Sequence, residues 1–334
     1  MVKDGLPLVV ICGPTATGKT EVGILVAGEL NGEVVSADSM MVYRGMDIGT
    51  AKPTLAERRG VPHHLIDVVE PHAAFSVALY QELAEKCIAD IHARGRLPLL
   101  VGGTGLYIRS VIDPYRFVAA PDPELRRRLV DEARLAGPDV LHARLLAVDP
   151  AAAARIHPHN VRRVIRALEV YHQTGQPISS FQGVEQDASP KYRLWMFGLT
   201  MPRERLYRRI EERVDRMLAA GLVDEVRRLL EGGCHRRLTA MQALGYKEIA
   251  AYLEGECTFE EAVRLLKRNT RRFAKRQLTW FRRDPRIRWL DVQALGGPAG
   301  AAKEIIASVG GALAGVKWLP AKPYKNNFHL EGPR

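Results

Sequence analysis

Gly13-Pro14-Thr15-Ala16-Thr17-Gly18-Lys19-Thr20 matches the phosphate-loop pattern G-x-x-x-x-G-K-[ST]. An apolar run from Leu6 to Cys12 precedes this stretch, and a helix-like run from Thr20 to Leu30 follows it. In such a strand–loop–helix setting the backbone N–H groups and the positive end of the helix dipole face an anion. We therefore predict that the loop binds a phosphate compound with the help of Lys19, and that the Thr20 hydroxyl can reach a Mg²⁺ ion. The motif alone leaves the identity of the compound open.

Two more apolar runs, Glu33–Ala37 and Leu97–Val101, share the first third of the chain with a helix-like stretch from Ser76 to Arg94. The runs do not alternate with polar residues, which favours a parallel sheet with helices on both faces. Asp38-Ser39 and Gly102–Gly105 follow the two runs directly. Because ligands bind at the carboxyl ends of parallel strands, we expect these segments to meet the phosphate loop. From its position, Asp38 is either a general base, a Mg²⁺ ligand or a capping residue.

The sequence changes character near Pro121. Asp122-Pro123-Glu124 has the pattern of a helix start, and short helices separated by proline are predicted up to Thr174. Arg193–Leu199 then returns to a buried strand. The predicted fold is α/β, with a parallel sheet formed by residues 1–119 and 193–316 and an all-helical insertion at 120–192. The tail at 317–334 is predicted to be disordered.

Beyond residue 202 the sequence predicts further helices and a last strand. The helices cover roughly 203–220, 223–231, 241–253 and 258–283, and the strand covers 287–290. The first of these helices carries Arg205, Arg208, Arg209 and Arg213. One arginine there is placed to clamp a diphosphate, whereas most of the four are expected at the surface.

The chain has 334 residues and a net charge of +11. The charge is concentrated between Thr258 and Arg286, where ten Lys or Arg stand against three Asp or Glu. On the long predicted helix the basic residues near one stripe are followed by two aromatic residues; the set is Arg268, Arg272, Lys275, Arg276, Trp280 and Phe281. This combination suits nucleic acid, through phosphate contacts and base stacking. The alternative is a solvated stripe whose aromatic rings pack into the core.

Several classes of protein are disfavoured. No apolar run approaches the length of a membrane span, and Met1–Gly5 does not resemble a secretion signal. The four cysteines form no C-x-x-C pair, and the ten histidines lack the spacing of zinc ligands. We expect a cytoplasmic, monomeric protein with no membrane partner.

A series of longer motifs now becomes specific. Besides Gly13–Thr20 it comprises Ser36–Tyr43, Gly45–Pro53, Pro62–Asp67, Gly102–Tyr107, Arg166–Val170 and Gly245–Glu248. In this order they closely resemble the bacterial tRNA dimethylallyltransferases, the IPP transferase family, over residues 6 to 295. The resemblance implies transfer of a dimethylallyl group from dimethylallyl diphosphate to N6 of adenosine 37. The implied substrates are tRNAs that read codons starting with U.

The resemblance also implies roles for individual residues. Asp38 is the base for the adenine amino group, Thr104 lies near the reacting groups, and Arg213 contacts the diphosphate held by Gly13–Thr20. The implied tRNA contacts are Asp38, Ser39, Met40, Met41, Thr104, Arg126, Arg162, Arg163, Val164, Ile165, Arg166, Gln242, Ala243, Leu244, Gly245, Tyr246 and Lys247. Mg²⁺ is the implied cofactor, and the helical insertion is implied to close on the anticodon stem.

Two other functions are compatible with the phosphate loop. A small-molecule kinase has the same loop and often an Asp after its second strand, but the basic helical regions and Gly245-Tyr246-Lys247 argue against it. An RNA-binding protein with a degenerate loop is disfavoured because Lys19 and Thr20 are intact. Whether the loop also binds ATP stays open.

Overall fold

The structure is a computed structural model that describes residues 5–114, 122–181 and 191–313. The chain divides into two compact units, one formed by residues 1–112 and 190–334 and the other by residues 113–189. The second unit corresponds to the helical insertion that the sequence predicts at residues 120–192. The tail predicted to be disordered, 317–334, lies outside the described residues.

The first unit is built on a six-stranded parallel sheet with the order β3-β2-β4-β1-β5-β6. The strands are Leu6–Cys12 (β1), Gly32–Ser36 (β2), His63–His64 (β3), Leu97–Val101 (β4), Tyr192–Thr200 (β5) and Ile287–Asp291 (β6). The predicted parallel α/β sheet is confirmed. The two-residue strand β3 has no counterpart in the sequence prediction, because two residues are too short for an apolar pattern to show.

β1 occupies the middle of the sheet, with β4 on one side and β5 on the other. Its residues alternate between two cores: Val9 and Ile11 pack with one buried cluster, and Leu8 and Val10 pack with the other. Both faces are therefore covered, which explains why the run is apolar throughout. Full burial of each such side chain contributes about 1.5–3 kcal/mol.

Helices cover this sheet and extend beyond it. They are Lys19–Glu29 (α1), Val77–Ala93 (α2), Gly105–Ile112 (α3), Arg203–Ala219 (α8), Leu222–Glu231 (α9), Tyr246–Leu253 (α10), Phe259–Phe281 (α11) and Pro298–Leu313 (α12). Ser76 caps α2, because its Oγ accepts a hydrogen bond from Leu79 N at 3.1 Å. α12 was not predicted. It packs on α1 through residues such as Ala301 and Ile305.

One helix prediction is wrong in its extent. Residues 241–253 were predicted as one helix, but a 3₁₀ turn at Ala240–Gln242 and α10 are separated by an extended Ala243 and by Gly245. Gly245 has φ +95, a value that residues with a side chain rarely adopt. Its N–H donates a hydrogen bond to the Glu248 carboxylate at 2.9 Å. The break turns the chain before α10 and fixes the start of that helix.

The second unit is all-helical over its described residues. Its helices are Pro123–Ala136 (α4), Pro138–Val148 (α5), Pro150–Ala153 (α6) and Val161–Thr174 (α7), followed by a 3₁₀ turn at Ile178–Phe181. The predicted start of α4 is confirmed, since the Asp122 carboxylate accepts hydrogen bonds from Glu124 N and Leu125 N at 3.0 Å. A small core that includes Leu129, Leu141 and Leu168 holds the helices together.

Candidate active site

The phosphate loop has the open, curved backbone that its glycines permit. Gly13 (φ +131) packs so closely on β5 that an added Cβ would meet Leu199 O at 2.5 Å. Gly18 (φ +92) precedes α1 directly, and Thr17 Oγ1 donates to Pro14 O at 2.9 Å across the loop. The N-terminus of α1 directly follows this loop, and the free N–H groups of a helix start are donors that suit a phosphate group.

Backbone hydrogen bonds join the carboxyl ends of three neighbouring strands. Gly102 N donates to Ile11 O at 3.1 Å, and Thr104 N donates to Ala37 O at 3.0 Å. Thr104 Oγ1 also accepts a hydrogen bond from Ser39 N at 3.1 Å. The structure therefore brings the phosphate loop, the Asp38-Ser39 turn and the Gly102–Gly105 turn together at one edge of the sheet.

Asp38 is half-buried and faces a cavity that Lys19 also lines. One carboxylate oxygen accepts a hydrogen bond from Met40 N at 2.9 Å, which fixes the side chain within its own turn. The capping interpretation and the functional interpretation are thus compatible. The same contact that holds the turn also holds the carboxylate at the cavity wall.

Two cations share the cavity with that carboxylate. Lys19 Nζ donates to Pro14 O at 2.7 Å, and an Arg213 guanidinium nitrogen donates to Thr50 O at 3.3 Å. Burial and, secondarily, the positive charge of Arg213 lower the pKa of Lys19 to about 8, while Asp38 opposes the shift. Burial likewise lowers the pKa of Arg213. Because both groups lose hydration without a full complement of counter-charge, the cavity favours an anion.

A larger cavity of about 640 Å³ adjoins the phosphate loop on the side of α8. Arg209, Arg213 and Arg216 all line it, since residues spaced by three or four lie on one face of a helix. Arg209 Nε donates to Ala16 O at 3.0 Å and so supports the loop itself. Arg205 and Arg208 are exposed, as the sequence predicted for most of the arginines, but Arg209 joins Arg213 at the site.

A second, smaller cavity of about 80 Å³ contains Asp38. Its apolar lining comprises Val34, Met41, Ile66, Val101 and Phe273. Both cavities are lined by Lys19, Thr20, Ala51, Pro53 and Arg213. The phosphate loop therefore stands between a large basic chamber and a small chamber of mixed polarity, in which Asp38 is the only carboxylate among the lining residues.

Gln277 is a residue of this site that sequence reasoning missed. Its side chain is buried, its Oε1 accepts a hydrogen bond from Thr15 N at 2.8 Å, and its Nε2 donates to Gly103 O at 2.9 Å. A Cβ at Gly103 would collide with that amide nitrogen. The one available signal was a lone glutamine on the buried face of a basic helix, four residues after Phe273.

The segment 242–247 is only partly accessible. Gln242 is exposed and Leu244 and Lys247 are half-buried, but Ala243, Gly245 and Tyr246 are buried. The Tyr246 hydroxyl donates to the Glu225 carboxylate at 2.6 Å, inside the cluster that α9, α10 and α11 form. Beside Asp38, the residues Ser39, Met40 and Met41 are half-buried.

In the helical unit, Arg162 and Arg163 are exposed at the first turn of α7. Val164 and Ile165 are packed in the core of this unit, so their side chains are not presented to a partner. Arg126 makes a two-pronged ion pair with the fully buried Glu169, at 2.6 and 2.7 Å, and Arg166 approaches the same carboxylate at 3.4 Å.

The two aromatic residues that follow the basic stripe of α11 pack towards the core. Arg272, Lys275 and Arg276 are exposed, whereas Phe281 is buried and Trp280 packs against the sheet. A Cβ at Gly105 would collide with the Trp280 ring. The alternative interpretation, a solvated stripe with its aromatic residues in the core, therefore describes Trp280 and Phe281.

A parallel sheet with a phosphate loop after its central strand, basic residues around the loop and a carboxylate beside it defines a P-loop protein that handles a phosphate-bearing substrate. Two family models match the chain: "IPP transferase" over residues 41–284 and "Isopentenyl transferase" over residues 6–68. The chain belongs to the IPP transferase family.

Relatives and solved structures agree with this assignment. A tRNA dimethylallyltransferase of Desulforudis audaxviator is 64% identical over 91% of this chain and 97% of its own. One of Pelotomaculum thermopropionicum is 57% identical over 92% of this chain and 98% of its own. The crystal structure of a tRNA isopentenylpyrophosphate transferase from Bacillus halodurans has a TM-score of 0.66 at 48% identity, covering 92% of this chain and 96% of its own. A eukaryotic dimethylallyltransferase acting on tRNA has a TM-score of 0.79 at 31% identity, covering 93% and 80%.

Two kinds of feature are absent from the described residues. Within residues 5–114, 122–181 and 191–313, no group of three or more His, Cys, Asp or Glu side chains is placed to hold a metal ion. Among the same residues, no helix has the length and apolar character needed to cross a membrane.

Proposed function

We propose that this protein transfers the dimethylallyl group of dimethylallyl diphosphate to N6 of adenosine 37 in tRNAs that read codons starting with U. The observation that carries the proposal is the placement of Asp38, Lys19 and Arg213 around one cavity at the phosphate loop. A carboxylate and two cations that line one cavity suit a reaction that removes a proton and releases an anion.

The roles of the residues follow from the bonds that change. The N6–C1 bond forms as the C1–O bond to the diphosphate breaks, and the electron pair of that bond leaves with the diphosphate. Asp38 accepts the proton that N6 loses. Lys19, Arg213 and the loop N–H groups stabilise the negative charge that develops on the leaving group.

The two chambers would receive different parts of the substrate. The basic chamber beside α8 suits the diphosphate, and the apolar lining around Val34, Met41 and Phe273 suits the five-carbon group. N6 must approach Asp38 from outside the stack of the anticodon loop, so the adenine has to be turned out of the stack. For Thr104, which is hydrogen-bonded to Ser39 beside Asp38, we propose a contact with this adenine.

Mg²⁺ fits the residues present, because a P-loop magnesium ion takes few protein ligands and relies on phosphate oxygens and water. Thr20 lines both chambers and would hold the ion through its hydroxyl, and no cluster of carboxylates is needed. When bound, the ion supplies positive charge to the diphosphate.

For tRNA we propose contacts by Arg126, Arg162, Arg163 and Arg166 in the helical unit and by the accessible members of 39–41 and 242–247. The exposed positions Arg162, Arg163 and Gln242 support this proposal. For the buried Val164, Ile165 and Tyr246 we propose a supporting role instead.

The test uses radiolabelled dimethylallyl diphosphate, Mg²⁺ and tRNA. We expect label in tRNA with adenosine at position 37 and none in a matched tRNA with guanosine there. A parallel reaction with ATP and no tRNA tests the kinase alternative. Label that never enters tRNA, together with ATP consumption in that control, would overturn the proposal.

A further inference from the structure

Glu225 is a buried carboxylate outside every set of residues assigned so far. It lies on α9 with 3% of its surface exposed, and none of the ion pairs within the described part of the chain involves it. Its charge is instead met by four hydrogen bonds. Oε2 accepts from Asp47 N and Ile48 N at 3.0 and 2.9 Å, and Oε1 accepts from Gly49 N and Tyr246 Oη at 3.1 and 2.6 Å.

Three consecutive backbone N–H groups that point at one anion form a nest, and here the anion belongs to the protein itself. Such a charge is costly to bury unless every hydrogen bond is made. Gly49 lies so close to Tyr246 that a Cβ would collide with its ring. Burial raises the pKa of Tyr246, which therefore stays a neutral donor to Glu225. Glu225 and the Tyr246 ring thus hold the backbone of Asp47–Gly49 in place.

The same segment leads directly to the donor site. Thr50 O accepts the hydrogen bond from Arg213, and Ala51 and Pro53 line both chambers beside Lys19. The far end is fixed as well, because the buried Lys52 Nζ contacts Tyr43 O, Asp47 and Asp67 at 2.5, 2.7 and 2.5 Å. Arg213 is therefore oriented by a loop whose starting point is held by Glu225.

We propose that Glu225, together with Tyr246, is a positioning residue for the leaving-group site, acting through the loop 47–53 on Arg213. The inference rests on the proposed function only in taking diphosphate as the anion that Arg213 meets. It gives Tyr246 a role that its burial allows, in place of direct contact with tRNA. It also requires a carboxylate, because an amide offers one oxygen where four donors converge.

The test compares Glu225→Gln and Tyr246→Phe with Glu248→Gln as the matched control. Glu248 is also a buried acid of this cluster, but it bonds Gly245 N and Asn269 and does not reach the loop. For each variant, unfolding is followed by circular dichroism, and binding of inorganic diphosphate with Mg²⁺ is measured by calorimetry. Transfer kinetics with dimethylallyl diphosphate and tRNA affinity are measured in parallel.

We expect Glu225→Gln to weaken diphosphate binding and to lower kcat/KM for the donor by about tenfold or more, since small displacements at a reacting site are costly. Tyr246→Phe should cause a smaller loss in the same direction. The tRNA affinity of Glu225→Gln and the diphosphate affinity of Glu248→Gln should stay at wild-type values. Because Glu225 acts through Arg213, Glu225→Gln should reduce diphosphate affinity much less in an Arg213→Ala protein than in the wild-type protein.

Wild-type diphosphate affinity in a folded Glu225→Gln protein would overturn the proposal, as would additive effects with Arg213→Ala. If Glu225→Gln does not fold, the test rests on Tyr246→Phe. Equal diphosphate affinity of Tyr246→Phe and Glu248→Gln would then overturn the proposal. The calorimetric result does not depend on prenyl transfer. A wild-type protein that failed to label tRNA would therefore refute the proposed function and leave this test intact.

Discussion

The charged residues of the phosphate-loop site and those of the helical unit are held in opposite ways. At the loop, Lys19, Arg209 and Arg213 each donate to a backbone carbonyl, and the chain around them is fixed by buried side chains such as Gln277. At the first turn of α7, Arg162 and Arg163 are exposed. The cations at the phosphate loop are therefore oriented before a ligand binds, whereas the arginines on α7 remain hydrated.

This difference has consequences for energy. Charges that are already desolvated and oriented need little rearrangement when a substrate arrives, so each contributes strongly to the reaction. Exposed charges are screened by salt and lose side-chain freedom on binding, so each contributes modestly to affinity. Substitutions at the loop should therefore affect turnover by orders of magnitude, while those on α7 should affect tRNA affinity by small, salt-dependent factors.

The largest effect is expected for Asp38→Asn. Asparagine keeps an oxygen for the hydrogen bond from Met40 N, so the turn should survive, but it cannot take a proton at neutral pH. Turnover in the labelled-donor assay should fall by about 10²–10⁴-fold, the usual contribution of a general base. Donor and tRNA binding should persist. Turnover close to that of wild type would show that the Asp38 carboxylate is not the base.

A second effect is a pH dependence that originates at Lys19. In the free protein its pKa is about 8, and a bound diphosphate must raise that pKa because it adds negative charge nearby. Above pH 8 binding then requires uptake of a proton, and affinity should fall by up to about tenfold per pH unit. Below pH 8 Lys19 is already protonated and should add no dependence.

The measurement is calorimetric titration with the S-thiolodiphosphate analogue of the donor between pH 7 and 9.5, values chosen to bracket the pKa of about 8. Buffers of different ionisation enthalpy report the proton uptake. Lys19→Met is the control and should bind weakly with no step near pH 8. A step of equal size in Lys19→Met would assign the ionisation to another group.

Gln277→Met sharpens the comparison within the ordered site. Methionine fills a similar volume but leaves Thr15 N and Gly103 O without their partner, and each buried orphan costs about 1–3 kcal/mol. We expect a lower melting temperature and a lower kcat, with tRNA affinity unchanged. Gln293→Met, at an exposed glutamine, serves as the control. Loss of stability with normal kcat would mean that Gln277 only supports the fold.

Much of this site could be read from the sequence because local patterns encode it. The phosphate loop, Asp38 and Gly102–Gly105 each follow a buried strand, and the rule that strand ends meet at one edge brings them together. The spacing of Arg209, Arg213 and Arg216 also held enough information to place them on one helix face. The prediction that most of the four arginines from Arg205 to Arg213 lie at the surface undervalued that spacing.

The residues that were missed act across long stretches of chain. Gln277 meets Thr15 over a separation of 262 residues, and Glu225 meets Asp47 over 178. Neither stands in a local pattern, since a single polar residue on a helix carries no period of its own. The opposite error concerns Tyr246, Val164 and Ile165. They were predicted to contact tRNA because they lie in tRNA-contacting segments, but their side chains are buried. A segment can contact a partner while some of its side chains hold it in place.

The smallest effect is expected for the double variant Arg162→Ala/Arg163→Ala. Both residues lie in the first turn of α7, which contains no acidic residue to offset them. Cations there oppose the helix dipole, so their removal should leave the melting temperature unchanged or raise it. Residues that do not stabilise the fold are better explained by a polyanionic partner.

If Arg162 and Arg163 each neutralise one tRNA phosphate, the double variant should flatten the plot of log affinity against log salt by about 0.7–0.9 per contact. Affinity for dimethylallyl diphosphate should not change. The control is Arg127→Ala/Arg128→Ala, an exposed pair on α4 of the same helical unit that has no assigned contact. Equal slopes for the two double variants would mean that Arg162 and Arg163 contribute only general charge, and the contrast between an ordered donor site and a tRNA-binding surface on α7 would fail.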